Sequence, residues 1–377
     1  MYRRNNTVYL TVILILTILF CAITVYASSD TSDTPRVSAR SAALYQPDSK
    51  SLLYRKNHSV RMPMASTTKI MTAVLALESD TDMDKPITVR DESVGIEGSS
   101  AYLRHGDKVT MRELIYALML QSANDAATEI AYRIGGDVPC FAEMMNDKAI
   151  ELGLSGTHFS NPHGLDDNDH YTTAEDLARL AAYALDIEEF RNVCSTYKKT
   201  VTTGERVRTY VNHNKLLSRY SDAIGVKTGY TVKCGRCLVG AAERDGLRLI
   251  SVTLDAPDDW NDHEAMLDYG FSVMEMLPLA YTYEYSYDIP VINNGTVRVT
   301  NTDELCLPVM RGDHKITKNV MLDRLVTAPI KEGDALGKVE FRVDGEYVGE
   351  VGLIATESVS AKEKTSFFKK IIKLPWR

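Results

Sequence analysis

Three short motifs in this 377-residue chain have residue types and spacings that could do chemistry: Ser66-Thr67-Thr68-Lys69, Ser122-Ala123-Asn124 and Lys227-Thr228-Gly229, in that order. Together they supply a hydroxyl nucleophile, two proton carriers and a strand able to bind an anion, which is the equipment of acyl transfer through a serine ester. A serine hydroxyl attacks only once a base takes its proton. A lysine, whose ordinary pKa is about 10.4, serves as that base where burial or neighbouring cations favour its neutral form. Residues three apart lie on one helix face, so the Lys69 amine can reach the Ser66 hydroxyl.

The spacing alone is weak, because S-x-x-K recurs at Ser195 to Lys198 and at Ser366 to Lys369. What distinguishes Ser66 is its setting. Pro63-Met64-Ala65 precede it and Ile70-Met71-Thr72-Ala73-Val74-Leu75-Ala76-Leu77 follow, which reads as the first turn of an apolar, Ala-rich helix. A helix start also presents free backbone N–H groups, one of which can serve an oxyanion hole. Ser122-Ala123-Asn124 lies between two stretches of helical composition, Met111–Gln121 and Asp125–Arg133, so it is expected as an interhelical loop pointing two polar side chains into a cleft. Lys227-Thr228-Gly229 ends the run Asp222–Val226 and precedes the strand-like Leu238–Ala242. It is expected on an edge strand beside the cleft, where Gly229 lets a ligand approach the backbone. Taken singly, each motif also fits a helix cap, a surface lysine or a strand end; their joint occurrence favours chemistry.

The three motifs at these separations resemble the penicillin-recognising serine D,D-peptidases, and the flanking residues are similar to the low-molecular-weight D-alanyl-D-alanine carboxypeptidases. The similar stretches are Pro63 to Thr72, Ser122-Ala123-Asn124-Asp125-Ala126-Ala127, Asn161-Pro162-His163-Gly164-Leu165 with Tyr171-Thr172-Thr173-Ala174, and Val226 to Thr231. The resemblance is detailed from Arg36 to Leu277 and looser beyond. It implies an acyl-enzyme on Ser66, Lys69 as general base and Ser122 as proton relay toward the leaving D-alanine. It further implies that Asn124 holds the substrate amide, that Lys227 and Thr228 bind the terminal carboxylate beside Gly229, and that the N–H groups of Ser66 and Tyr230 form the oxyanion hole. The base assignment stays open among Lys69, Ser122 and Lys227, which can titrate as one network. Some members of the family place an arginine beyond the Lys-Thr-Gly strand; the matching window here, Asp255 to His263, has none. Arg248 reads as an outward-facing strand residue.

The resemblance implies removal of the terminal D-alanine from peptidoglycan stem peptides, with β-lactams as covalent inhibitors. Two rivals share the motifs. A serine β-lactamase is disfavoured because no Glu-x-x-Leu-Asn element lies between Ser122 and Lys227 and the second motif is Ser-Ala-Asn. A non-catalytic peptidoglycan-binding protein is disfavoured because every motif residue is intact.

The expected fold is an α/β penicillin-binding/β-lactamase-like domain, an antiparallel sheet from strands near Arg40–Lys56 and Lys198–Asp255 covered by helices, over residues 36–277. A small all-β domain follows over 280–355, read from short alternating segments at Thr296–Thr300, Leu305–Met310, Val320–Leu325, Leu336–Val343 and Glu346–Leu353. A C-terminal amphipathic helix closes the chain over 362–377. In that tail Phe367, Phe368, Ile371 and Ile372 fall within an arc of about 140° opposite Lys369, Lys370 and Lys373, which makes it an interfacial anchor for anionic membrane or, alternatively, a helix packed on the β module. Residues 1–27 read as a signal peptide: Arg3 and Arg4, the apolar Val8–Val25, then Val25-Tyr26-Ala27. Uncleaved, the stretch would be an anchor; either way the protein is expected outside the cytoplasmic membrane.

An apolar content of 44% is ample for a packed core, and a net charge of -8 gives no support for nucleic-acid binding. No cofactor or metal is called for. Five cysteines follow the signal segment, so at least one is unpaired. Cys234-x-x-Cys237 has no second pair and reads as two structural thiols or a strained local bridge. His158, His163 and His170 match no zinc-hydrolase spacing and read as buried or loop-ordering. Thr172-Thr173-Ala174-Glu175 reads as a capping box opening a helix over Thr173–Leu185.

Overall fold

The computed structural model describes residues 34–203 and 206–361. The expected signal segment and C-terminal helix lie outside the described residues. Within them, no helix is long and apolar enough to cross a membrane.

Strands β1 (Ser41–Gln46) and β2 (Ser51–Lys56) form a hairpin that leads through a 3₁₀ turn, Ala65–Thr68, into helix α1 (Lys69–Glu78). The ribbon β3 (Ile87–Thr88) and β4 (Lys108–Val109) brackets a long loop. After it come α2 (Met111–Leu120), α3 (Asn124–Ile134), α4 (Val138–Glu151), α5 (Ala174–Asp186) and α6 (Glu188–Ser195). Strands β5 (Lys198–Thr203) and β6 (Arg206–Val211), the short α7 (Leu216–Arg219), then β7 (Ala223–Thr231), β8 (Gly235–Arg244), β9 (Leu247–Leu254) and α8 (Asp259–Val273) complete this part.

The central sheet is antiparallel, in the order β2-β1-β9-β8-β7. Period-two alternation sends its apolar side chains to both faces. Ala43, Val239, Ile250 and Val252 join the large core that includes α1 to α6, while Ala42, Leu44 and Leu249 join Met266, Leu267 and Phe271 of α8. Residues Lys69 to Ala76 of α1 are all buried, so this helix runs through the middle of the domain. Its Ala-rich sequence allows neighbours to approach from every side.

Two local expectations are corrected. The strands at Lys198–Val211 do not join the sheet; β5 and β6 pair with each other as a separate hairpin. This hairpin lies against the loop before α2 and the first turn of that helix, with Arg206 Nη1 donating to the Tyr102 carbonyl and Thr202 N–H to Glu113. The cap of α5 is Thr173 rather than Thr172, with Thr173 Oγ1 accepting from Asp176 N–H at 3.0 Å. Thr172 is instead held in an isolated bridge to Met62, which fixes its backbone outside the helix.

The C-terminal strands are β10 (Met274–Ala280), β11 (Ser286–Val291), β12 (Gly295–Thr300), β13 (Leu305–Met310), β14 (Ile316–Leu322), β15 (Ala335–Val343) and β16 (Glu346–Ala355). Five of them form a sheet in the order β11-β12-β16-β15-β14, and β10 pairs with β13. Its core is separate, with Val297, Val299, Val339, Phe341, Val351 and Leu353 on alternating positions.

Candidate active site

Ser66 sits in the 3₁₀ turn, one residue after Ala65, whose φ of +47° lies in the left-handed region. Lys69 opens α1 with its side chain fully buried. Its Nζ makes three contacts, to Ser66 Oγ at 2.8 Å, Asn124 Oδ1 at 2.7 Å and the His163 carbonyl at 2.6 Å. The last two partners can only accept. An ammonium donates to all three, whereas a neutral amine donates to Asn124 and His163 and turns its lone pair toward the Ser66 O–H. Burial pushes the Lys69 amine well below the ordinary lysine range, the Lys227 charge pushes it further, and Asp125 opposes. The geometry accommodates either state, and burial favours the neutral amine aimed at the serine hydroxyl.

Thr110 caps α2 in a reciprocal box with Glu113, and the helix ends at a turn where Ser122 takes φ +59°. Ser122 lines the same cleft as Ser66. Among the described residues its hydroxyl makes no hydrogen bond, so it is available to a ligand. Asn124, the first residue of α3, is occupied at both ends of its amide: Oδ1 accepts from Lys69 and Nδ2 donates to the Glu97 carbonyl at 2.5 Å. Here it orients Lys69 and ties the 97–103 loop to the cleft. Asp125 binds that loop as well, accepting from Ser100 Oγ, Ala101 N–H and Leu103 N–H at 2.6–3.0 Å.

Lys227, Thr228, Gly229 and Tyr230 lie on β7, the edge strand of the central sheet. Lys227 is buried with its Nζ donating to the Thr228 carbonyl at 3.0 Å, and desolvation lowers its pKa to about 7. Gly229 packs closely against the serine turn. A Cβ there would stand 3.0 Å from Ser66 N and 3.1 Å from the Met64 carbonyl. The Tyr230 side chain is 65% exposed at the rim. A cleft of about 340 Å³ joins Ser66, Ser122, Thr228 and Gly229.

Part of the support for Ser66 was not anticipated from the motifs. Gly164, with φ +87°, packs directly on the Ala65 carbonyl, and Asn161 Oδ1 holds it by accepting from the Gly164 N–H at 2.7 Å. Buried His170 accepts from Ser160 N–H at Nδ1, which leaves Nε2 as the proton-bearing nitrogen toward Thr68 Oγ1 at 2.7 Å. Thr68 Oγ1 donates in turn to the Ala65 carbonyl at 2.8 Å. Burial lowers His170 to about 4, so the ring is neutral. The residues Asn161 to Leu165 stood out in sequence, but nothing there ties them to Ala65. Cys234 and Cys237 are free thiols, both buried. Arg248 pairs with Glu243 and Asp186, away from the cleft. No group of His, Cys, Asp or Glu that could hold a metal occurs among the described residues.

Comparison with known proteins agrees with this geometry. Residues 28–258 match the family model described as D-alanyl-D-alanine carboxypeptidase, and residues 292–361 match the penicillin-binding protein 5 C-terminal domain. The D-alanyl-D-alanine carboxypeptidase DacF of Bacillus subtilis is 30% identical over 92% of each chain. The enzyme DacC of Escherichia coli is 31% identical, covering 92% of this chain and 90% of its own. Among solved structures, penicillin binding protein 5 from Haemophilus influenzae superposes with a TM-score of 0.65 at 26% identity, over 86% of this chain and 98% of that one. The Streptomyces K15 DD-transpeptidase gives 0.61 at 35% identity, over 64% of this chain and 99% of its own. With the serine–lysine pair at the start of a buried helix and two domain models matched in order, the chain belongs to the D-alanyl-D-alanine carboxypeptidase family of low-molecular-weight penicillin-binding proteins.

Proposed function

We propose that this protein is a serine-type carboxypeptidase that removes the terminal D-alanine from peptidoglycan stem peptides through an ester on Ser66. The observation that carries the reading is the threefold coordination of Lys69, which as a neutral amine has one remaining lone pair, directed at Ser66 Oγ. In acylation, Ser66 Oγ attacks the carbonyl of the penultimate residue while Lys69 Nζ takes its proton. The oxyanion is held by the backbone N–H groups of Ser66 and Tyr230, which flank the contact between Gly229 and the serine. The peptide C–N bond breaks, Ser122 passes a proton to the leaving amine, and free D-alanine departs. Water then cleaves the ester and restores Ser66. Lys227 and Thr228 receive the terminal carboxylate, and β-lactams acylate the same hydroxyl.

The protein acts outside the cytoplasmic membrane, delivered by residues 1–27 and held at anionic lipid by residues 362–377. The catalytic unit spans 36–277 and the β domain 280–355. The test is release of free D-alanine from a stem peptide ending in D-Ala-D-Ala, with labelling by a fluorescent penicillin in parallel. Both are expected for the wild type, and Ser66→Ala is expected to abolish both. Labelling that survives the substitution moves the nucleophile elsewhere.

A further inference from the structure

We propose that Tyr102, backed by Arg208, is an exosite that stacks on a pyranose ring of the amino-sugar chain carrying the stem peptide; this rests on the carboxypeptidase reading of the cleft. Tyr102 takes φ +53°, in the left-handed region, where a bulky side chain is an outlier, and it is 67% exposed. Such a backbone persists only where its surroundings over-determine it. Here one buried carboxylate does so. Asp125 accepts the N–H groups of Ala101 and Leu103, on either side of Tyr102, at 2.9 and 3.0 Å. Ser100 Oγ, itself donating to Asp125, accepts the Tyr102 N–H at 2.8 Å, and the Tyr102 carbonyl accepts from Arg206 Nη1 at 3.1 Å. The turn presents the ring outward at a fixed place, and the core gains nothing from it.

Arg208 of β6 sets its guanidinium 5.6 Å from the centroid of the Tyr102 ring, within cation–π reach. Among the described residues that guanidinium has no ion-pair or hydrogen-bond partner, and its Nε is buried without one. A rigid tyrosine backed by a partly desolvated arginine has the composition of a binding hot spot. A purely structural role accounts for less. Glycine or asparagine enters the left-handed region at little cost, so the turn alone does not call for a tyrosine. The electron-rich ring face suits the C–H groups of a sugar.

Position selects the occupant. Asn124, assigned to the substrate amide, donates its N–H to the Ser99 carbonyl at 2.7 Å and its Nδ2 to the Glu97 carbonyl at 2.5 Å. The loop leading to Tyr102 therefore borders the end of the cleft that holds the amide rather than the terminal carboxylate. Ser99 lines the cleft, and three residues of chain place the Tyr102 Cα within about 10 Å of it. A stem peptide attacked at its penultimate residue continues from that amide end, and four extended residues span at most about 14 Å before the sugar begins. The sugar thus emerges within reach of the Tyr102 ring.

The experiment compares kcat/KM for D-alanine release from two substrates, a free stem pentapeptide and the same peptide attached to its disaccharide. The ratio between them is independent of the fraction of folded enzyme, and the wild type is expected to favour the linked substrate. Tyr102→Asn removes the ring but supplies a residue suited to φ +53°. In it the linked-to-free ratio is expected to fall about tenfold, the scale of truncating an interface anchor. The loss is expected in KM, because a contact remote from the reacting bond holds substrate and transition state alike. Tyr102→Phe keeps the ring and is expected to restore the ratio, while Arg208→Gln is expected to fall between. A wild type that treats both substrates alike overturns the proposal, as does a ratio within twofold of wild type in Tyr102→Asn. An equal loss on both substrates marks a structural residue and also overturns it. Should Tyr102→Asn instead release the protein from phosphatidylglycerol vesicles with the ratio intact, the ring belongs to a membrane contact and the proposal falls. A wild type that releases D-alanine from neither substrate overturns the carboxypeptidase reading itself, and this assignment with it.

Discussion

Replacing Gly164 with alanine tests whether the backbone before Ser66 sets the rate of acylation. An added Cβ would lie 1.9 Å from the Ala65 carbonyl oxygen, 2.4 Å from its carbon and 2.9 Å from Thr68 Oγ1. Real Cβ contacts stay beyond 3.0 Å, so the two backbones must separate by about 1.1 Å, the difference between 3.0 and 1.9. Neither side yields easily. The Ala65 carbonyl is fixed by Thr68 and His170, and the preceding carbonyl on the other side, that of His163, accepts from Lys69. The shift therefore displaces Ser66 and Lys69, the proposed nucleophile and base, together, and a misplacement near 1 Å costs on the order of 10²-fold in rate. Backbone strain at φ +87° adds roughly 1–3 kcal/mol of lost stability. Gly136 supplies the control, with φ +84° and nothing within 4 Å of its added Cβ, so Gly136→Ala carries the strain without the collision. The assay is the acylation rate of the folded fraction with a fluorescent penicillin, alongside thermal melting. Expected is a rate loss of about 10²-fold in Gly164→Ala and little change in Gly136→Ala, with both melting earlier. Equal acylation rates in the two variants would refute the claim that Gly164 positions Ser66 through Ala65.

Lys69→Arg retains a cation but has no accessible neutral state, so acylation is expected to fall by at least about 10²-fold, and near-normal acylation would shift the base role to Ser122 or Lys227. Burial lowers Lys227 from 10.5 to about 7, so between these values the unfolded chain binds more protons and stability rises with pH. The penalty is complete below about pH 7; Lys227→Met is accordingly expected to raise the melting temperature at pH 6 while raising KM for a carboxylate-ended substrate, and a lower melting temperature contradicts the burial argument. If residues 362–377 anchor the protein as proposed, removing them from the signal-cleaved protein is expected to release it from anionic vesicles with activity on soluble peptide intact; continued sedimentation would make the tail part of the β module.

The Ser66–Lys69 pair and the order of the motifs were legible in sequence because each depends on spacing within one turn or one strand. Ser66 and Lys69 are three residues apart, Lys227 to Tyr230 are contiguous on β7, and Ser122 and Asn124 bracket one helix junction. Alternation in β12 to β16 likewise exposed most of the second domain. Periodicity does not encode which distant segments meet. The partners of the Lys69 amine come from 55 and 94 residues away, and the Ala65 carbonyl is held by Thr68 Oγ1, which His170 meets from 102 residues away. The separation of the β5–β6 hairpin from the sheet was equally hidden, since its alternating residues fit either pairing. Local residue types therefore determine which groups are available for chemistry, while tertiary packing decides their protonation, because desolvation and neighbouring charge exist only once the chain has closed around them.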